Sequence, residues 1–146
     1  MEEIFVDSSV FLRFYAEDDN AQGDAAEKMF RMGTARKIDL VTGPPVFFEV
    51  AWSLKKGFNW PNRKILETLE AMTVIPNMKL LDKDLVVGAI MLAKETGQGF
   101  SDAYIAATAQ SRKAKVATFN KKHFSKLGIE LYPFEDKGSS LPPLDD

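Results

Sequence analysis

Short apolar segments rich in β-branched residues alternate along the chain with longer segments whose apolar residues recur at helical spacing. The short segments predict buried strands, over residues 4–6, 38–42, 78–81, 115–119 and 129–132. The longer segments predict helices, over residues 10–15, 21–37, 46–56, 62–72, 83–96, 101–109 and 121–127. Strands that alternate with helices indicate an α/β fold with a mostly parallel sheet.

Several helix boundaries follow from single residues. Pro44 and Pro45 suit the first turn of a helix, Ser101 is the expected N-cap of the helix that contains Asp102, and Gly97 is expected to end the helix before it. The polar cluster at residues 17–20 is expected to interrupt the first helical region. Residues 1–134 are predicted to form one domain, and residues 135–146 a loose polar tail rich in Gly, Ser, Pro and Asp.

The composition excludes several kinds of chemistry. Among 146 residues there are 21 acids, 19 bases, one histidine (His123) and no cysteine. Disulfide scaffolds, cysteine-ligated metals and thiol catalysis are therefore excluded. The N-terminus has no basic segment followed by an apolar one, and no apolar run is long enough to cross a bilayer. A cytoplasmic location without membrane contact is the resulting expectation.

Four polar residues stand out because apolar segments surround or precede them. Asp7 follows the first strand, Glu49 lies in the most hydrophobic window of the chain, Asp102 begins an apolar helix, and Asn120 follows residues 115–119. Each has an ordinary explanation: helix capping or a favourable charge at a helix start for three of them, and an exposed helix face for Glu49. The apolar neighbours of Glu49 instead favour a carboxylate that is paired or bound to a metal.

Convergence of these four residues would create an oxygen-only site. Ligands of parallel α/β sheets bind outside the carboxyl ends of the strands, where Asp7 and Asn120 are expected. Three carboxylates and an amide suit Mg²⁺ or Mn²⁺ rather than zinc. The carboxylates would repel one another in the absence of a cation.

Four short segments, in this order, resemble PIN domains, and the short single-domain form resembles the VapC-type toxins of prokaryotic toxin–antitoxin pairs. The resemblance extends from Ile4 to about Phe134. It rests on Val-Asp-Ser-Ser-Val-Phe-Leu-Arg (6–13), Phe-Glu-Val-Ala-Trp-Ser-Leu (48–54), Phe-Ser-Asp-Ala-Tyr-Ile-Ala-Ala (100–107) and Ala-Thr-Phe-Asn-Lys-Lys-His-Phe (117–124). It implies a three-layer α/β/α sandwich around the sheet.

The resemblance also implies a Mg²⁺- or Mn²⁺-dependent endoribonuclease. Its metal-binding residues would be Asp7, Glu49 and Asp102, which with Asn120 make up the implied catalytic set. The chain departs from the family at Asn120, where family members usually carry an aspartate. The loss of one negative charge weakens the binding of a second metal, so an alternative is a catalytically weakened PIN domain that binds RNA or protein.

Further residues and partners are expected around this set. The hydroxyls of Ser8 and Thr118 are candidates for positioning water or phosphate, with helix capping or strand-end hydrogen bonding as the alternative. Candidate RNA-binding residues form a basic rim: Arg13, Lys55, Lys56, Arg112, Lys113, Lys115, Lys121 and Lys122. His123 is expected to be a surface residue. The resemblance implies an RNA substrate, a small antitoxin and a homodimer, for which Phe11, Phe14, Tyr15 and Phe30 would form a surface unless they belong to the core.

Two other classes of protein are less compatible with the sequence. A P-loop NTPase is excluded, because the chain has no Gly-x-x-x-x-Gly-Lys-Ser/Thr motif. A receiver-like phospho-acceptor domain usually has an acidic pair after its first strand, whereas here the single Asp7 precedes two serines.

Overall fold

The computed structural model describes residues 1–16, 19–135 and 140–144. Its sheet has three parallel strands in the order β1 (Glu3–Phe5), β2 (Asp39–Thr42) and β3 (Met78–Leu80). Ile4 is in register with Leu40, and Leu40 with Met78. The predicted α/β class and parallel sheet are confirmed.

Seven helices surround this sheet in the described part of the chain. They are α1 (Ser8–Ala16), α2 (Asn20–Thr34), α3 (Pro44–Lys56), α4 (Asn62–Thr73), α5 (Lys83–Thr96), α6 (Phe100–Ser111) and α7 (Lys121–Lys126). The arrangement agrees with the three-layer sandwich expected from the resemblance. As predicted, prolines occupy the first turn of α3, and Gly97 ends α5 in the left-handed conformation with a φ of 73°.

The central strand is enclosed by helices. Leu40, Val41 and Thr42 of β2 are all buried, and Phe11 of α1 and Phe47 of α3 are fully buried. Such apolar burial is the main stabilising contribution to a domain of this size. The side chain of Thr42 is satisfied, because its hydroxyl donates to the carbonyl of Val6 at 3.1 Å.

A glycine sets the distance between α2 and β2. A Cβ added to Gly33 would lie 2.6 Å from Cδ1 of Leu40. That separation is shorter than carbon–carbon contact allows, so a larger residue would displace the leucine or the helix.

The early aromatic residues belong mainly to the core. Phe11 and Phe30 are buried, and Phe14 and Tyr15 pack against the core in half-buried positions. The ring centroids of Phe14 and Phe30 are 5.0 Å apart. Of the two alternatives for these residues, a surface for a partner and the core, the core accounts for the two buried rings.

The predicted strands at 115–119 and 129–132 do not form. Within the described ranges they are reduced to one parallel bridge between Val116 and Leu131, with hydrogen bonds from Val116 N to Glu130 O at 2.9 Å and from Tyr132 N to Val116 O at 2.8 Å. Val116 is the only buried residue of the first segment, and Phe119 is exposed. These two segments therefore lack the continuous pairing that β1 and β3 make with β2.

Other expectations concern helix starts and the tail. α6 begins at Phe100 with Gly99 as its N-cap, so the expectation of a Ser101 cap is wrong. Residues 17–18, 136–139 and 145–146 lie outside the described residues, so the interruption of the first helix is only partly visible, and the tail and the boundary at residue 134 stay predictions. No helix in the described part of the chain is long and apolar enough to cross a membrane.

Candidate active site

Asp7 lies two residues beyond β1, at the carboxyl edge of the sheet. The preceding Val6 is buried, and its N–H donates to the carbonyl of Val41 at 2.8 Å. Oδ2 of Asp7 accepts from the Ser9 hydroxyl at 2.9 Å and from the Ser9 backbone N–H at 3.2 Å. These bonds, the side-chain one first, lower the pKa of Asp7. The exposed carboxylate is therefore charged at neutral pH.

Glu49 is held at the same edge by the residue that follows Asp7. The hydroxyl of Ser8 donates to Oε2 of Glu49 at 2.7 Å, which joins α1 to α3. Ser8 is only 8% exposed, so this short bond to a charged acceptor is well defined. Glu49 itself is exposed. The interpretation of Glu49 as a carboxylate enclosed by apolar residues is wrong, because Phe47 and Val50 point into the core on another face of the helix.

Asp102 lies in the first turn of α6 and is half-buried. An acid at this position is favoured by the partial positive charge of the helix N-terminus. Its Oδ2 lies 3.4 Å from Nδ1 of His123 on α7, with side-chain exposures of 31% for the aspartate and 52% for the histidine. Asp102 and His123 therefore lie side by side at the surface.

Asn120 joins this pair from the start of α7. Its Nδ2 lies 3.0 Å from Nδ1 of His123, and its backbone N–H donates to the hydroxyl of Thr118 at 2.9 Å. The two contacts of His123 are alternatives, since a bare Nδ1 accepts from Asn120, whereas a protonated Nδ1 donates to Asp102.

The site consists of two parts. The serine half contains Asp7, Ser8, Ser9 and Glu49, and the histidine half contains Asp102, Thr118, Asn120 and His123. Helices α3 and α6 pack together between them, with the ring centroid of Phe48 5.1 Å from that of Phe100. Among the described residues, no three acidic or histidine side chains form a group that could hold a metal ion. The structure thus forms each half separately.

A model of the PIN domain matches residues 4–130. The chain belongs to the PIN domain family. PIN domains are generally nucleases, which supports hydrolysis of phosphodiester bonds, and they typically use divalent metal ions. No curated protein gives a significant match to the chain. The expected PIN domain is confirmed, and the VapC-type subclass stays a prediction.

The basic residues predicted to bind RNA lie in different places on this PIN domain. Arg13 is half-buried, and its Nε donates to Oε1 of Gln22 on α2 at 2.7 Å. Lys121 and Lys122 are exposed at the start of α7, next to the histidine half. Lys115 lies 3.5 Å from a carboxylate oxygen of Glu130. Lys121 and Lys122 are therefore better placed for a phosphate contact near the site than Arg13 or Lys115.

Sequence reasoning gave too little weight to two residues of the site. His123 is a surface residue, as expected, but it also touches both Asp102 and Asn120. Its position three residues after Asn120, in the first turn of a helix, is the signal that places the two side chains together. Ser9 is not among the site residues expected from the sequence, although the Asp-x-Ser spacing is typical of such a local side-chain hydrogen bond.

Proposed function

We propose that this PIN domain is a Mg²⁺- or Mn²⁺-dependent endoribonuclease that hydrolyses RNA phosphodiester bonds, with Asp7, Glu49, Asp102 and Asn120 as its catalytic set. The observation that carries the proposal is the hydrogen bond of 2.7 Å between Ser8 and Glu49. Because Ser8 directly follows Asp7, this bond holds the carboxylate of Glu49 near Asp7. Membership in a family of nucleases supports the same activity.

The donor chemistry of these residues fits a hard divalent cation. Asp7, Glu49 and Asp102 offer carboxylate oxygens, and Asn120 offers an amide oxygen, which are ligands that Mg²⁺ and Mn²⁺ accept together with water. Asp7, Asp102 and Glu49 would hold the ion, directly or through water. When bound, a divalent cation lowers the pKa of water and offsets negative charge on the phosphate.

The protein's own residues prepare this chemistry. The hydrogen bonds from Ser9 keep Asp7 ionised, and Ser8 orients Glu49 toward the same edge of the sheet. Nδ1 of His123 lies within reach of both Asp102 and Asn120 and can hydrogen-bond one of them at a time. Thr118 holds the backbone N–H of Asn120 at the start of α7, and the hydroxyls of Ser8 and Thr118 are proposed to position water or phosphate.

The test is cleavage of a single-stranded RNA by Asp7→Asn and Asp102→Asn variants. We expect each to lower the Mg²⁺-dependent rate by about a hundredfold or more, because even partners of metal ligands cost roughly 10–100-fold. Both side chains are accessible to solvent, so the thermal unfolding midpoint should change little. Asp24→Asn, which removes an exposed acid on α2, is the matched control. Unchanged cleavage by Asp7→Asn would contradict the assignment.

A second candidate function is an RNA-binding or protein-interaction module with weakened catalysis. It is favoured by the amide of Asn120, which contacts His123 at 3.0 Å and brings no charge to a site where no three acidic or histidine side chains are grouped within the described ranges. Equal binding of RNA with and without Mg²⁺, and no cleavage at any Mg²⁺ or Mn²⁺ concentration, would favour this function over the nuclease.

We further propose a cytoplasmic role as the toxin of a toxin–antitoxin pair, with a small antitoxin that covers the site and with homodimer formation. The short single-domain form of the chain, which resembles the VapC-type toxins, supports this role. Expression of the chain should arrest growth, and expression of the Asp7→Asn variant should not. Co-expression of a small neighbouring reading frame should restore growth. Lack of growth arrest by an active nuclease would instead favour housekeeping RNA processing.

A further inference from the structure

A groove adjoins the histidine half and has a volume of about 410 Å³. We call it the tryptophan groove; it is lined by Trp52, Lys55, Lys56, Trp60, Asp102 and His123. Its volume is within the range of roughly 300–1,000 Å³ found for small-ligand sites. The acid and the histidine of the candidate site thus form one wall of a cavity whose other wall belongs to α3.

The two tryptophans of this groove differ in what covers them. Trp60 is half-buried, and Nζ of Lys64 lies 3.7 Å from its ring centroid. Trp52 is 66% exposed, and within residues 1–16, 19–135 and 140–144 no aromatic ring or cation packs on it. An indole this exposed contributes little apolar burial to folding, and an exposed apolar surface of this kind often marks a binding site. The open face of Trp52 is therefore available to a flat ligand.

Positive charge lies next to the open indole. Lys55 and Lys56 follow Trp52 by three and four residues on α3, so all three side chains share one helix surface. Both lysines are exposed, and no carboxylate of the described residues forms an ion pair with either. Asp102 lies on the opposite wall. An anionic, aromatic ligand is complementary to the lysine side of the groove.

We propose that the tryptophan groove binds one nucleotide of single-stranded RNA, with its base stacked on Trp52 and its flanking phosphate at Lys55 and Lys56. Stacking on an aromatic side chain beside basic residues is how proteins hold single strands without reading their sequence. In a base-paired duplex the faces of the bases are covered, so the groove selects unpaired RNA. The proposal depends on the proposed function in one respect. The phosphate next to the stacked nucleotide would lie toward Asp102, which belongs to the proposed catalytic set.

The test uses the tryptophan itself as a reporter. The chain has two tryptophans, so Trp60→Phe leaves Trp52 as the only indole. The probe is a mixed-sequence single-stranded oligonucleotide with 2′-O-methyl groups, which resists cleavage, titrated in EDTA. Base stacking should quench the Trp52 fluorescence, and a duplex of the same sequence should quench it much less. Anisotropy of a fluorescein-labelled probe measures the affinity of variants without the reporter.

We expect Trp52→Ala to weaken binding about tenfold and Trp52→Phe to restore most of the affinity. Lys55→Ala should lower the slope of log affinity against log salt by about one unit. Lys28→Ala, which removes an exposed lysine from α2, should leave the slope unchanged. Met91→Ala removes an exposed apolar side chain from α5 and should leave the affinity unchanged.

The outcomes separate this inference from the proposed function. Binding in EDTA that depends on Trp52, in a protein that never cleaves RNA, would support the groove and contradict the nuclease. Cleavage that requires Asp7 but tolerates Trp52→Ala, with unchanged affinity, would overturn the groove alone. A change in sedimentation of Trp52→Ala without a change in RNA affinity would also overturn it, because the indole would then contact a second copy of the chain.

Discussion

The serine half and the histidine half of the candidate site are held in place by different kinds of interaction. In the serine half, Val6 is bonded to Val41 and Thr42 at the centre of the sheet, and the Ser8 hydroxyl is buried against Glu49. In the histidine half, the chain before Asn120 has a single bridge at Val116, and the contacts of His123 join solvent-accessible side chains. The serine half is therefore anchored to the core through Ser8 and the neighbouring Val6, with both of its carboxylates exposed. The histidine half rests on local polar contacts.

This difference indicates that the two halves respond differently when a ligand binds. Buried hydrogen bonds fix a side chain at little entropic cost after folding, so Ser8 and Glu49 are positioned before any ligand arrives. Exposed polar pairs contribute little to stability and rearrange readily. We therefore expect the histidine half to adjust to a cation or to RNA while the serine half stays fixed.

Among changes that compare the two halves, the largest expected effect comes from placing an acid at residue 120 of the histidine half. Asn120→Asp adds a negative charge near Asp102, and the number of charged ligands tunes the affinity for hard cations. We expect the Mg²⁺ concentration for half-maximal cleavage to fall roughly tenfold. Calorimetric titration of Mg²⁺ into the protein measures the same change without the reaction.

Asn20→Asp is the control for added charge, because Asn20 is exposed at the start of α2, a helix that contributes no residue to either half. It should leave the Mg²⁺ requirement unchanged. If Asn120→Asp bound Mg²⁺ no more tightly than the wild type, residue 120 would lie outside the cation site, and the histidine half would have to be redefined around Asp102.

A smaller effect is expected on the free energy of unfolding, to which a residue of the serine half should contribute more than a residue of the histidine half. Ser8→Ala removes a buried donor and leaves Glu49 without its hydrogen bond, which should cost about 1 kcal/mol of unfolding free energy. His123→Ala removes an exposed side chain and should change it by less than about 0.5 kcal/mol. Urea unfolding with unchanged m-values measures both. A larger loss in His123→Ala than in Ser8→Ala would reverse the comparison.

The sequence predicts the serine half's framework better than the histidine half. The segments at 4–6, 38–42 and 78–81 become β1, β2 and β3, because every residue of β1 and β3 pairs with β2. Only β2 is buried over most of its length, so the expectation of buried strands holds for β2 alone. The run at residues 115–119 does not become a strand, because in the described part of the chain it pairs with another segment at Val116 alone. An apolar segment thus becomes a strand only when the rest of the fold supplies a partner along its whole length.

Side-chain pairings are harder to predict than the ends of elements. Asp7, Asp102 and Asn120 were located near strand ends or helix starts, and they lie there. The bond between Ser8 and Glu49 spans 41 residues of sequence, and no local spacing encodes it. Of the two explanations for Glu49, the exposed helix face is correct, because its apolar neighbours in sequence occupy other faces of the helix, as Phe47 and Val50 do.

The smallest expected effect concerns the stability of the folded protein at alkaline pH. Burial raises the pKa of Tyr15, at the end of α1, to about 12. Burial and the charge of Asp82 also raise the pKa of Tyr104 on α6, though by less. A phenol whose pKa is higher in the folded than in the unfolded chain makes its full contribution to stability below its pKa in the unfolded chain, which is near 10. This contribution is lost as the pH rises from that value toward the pKa in the folded chain.

Tyr15→Phe should therefore lose less stability than the wild type between pH 10 and pH 12, and Tyr104→Phe should show the same change to a smaller extent. At pH 8 neither phenol is ionised in the folded or the unfolded chain, so ionisation contributes no difference there. Urea midpoints at several pH values measure the effect. A larger change for Tyr104→Phe would mean that α6, which carries Asp102 of the histidine half, shields its tyrosine from solvent better than α1 does. That result would contradict the weaker anchoring of the histidine half.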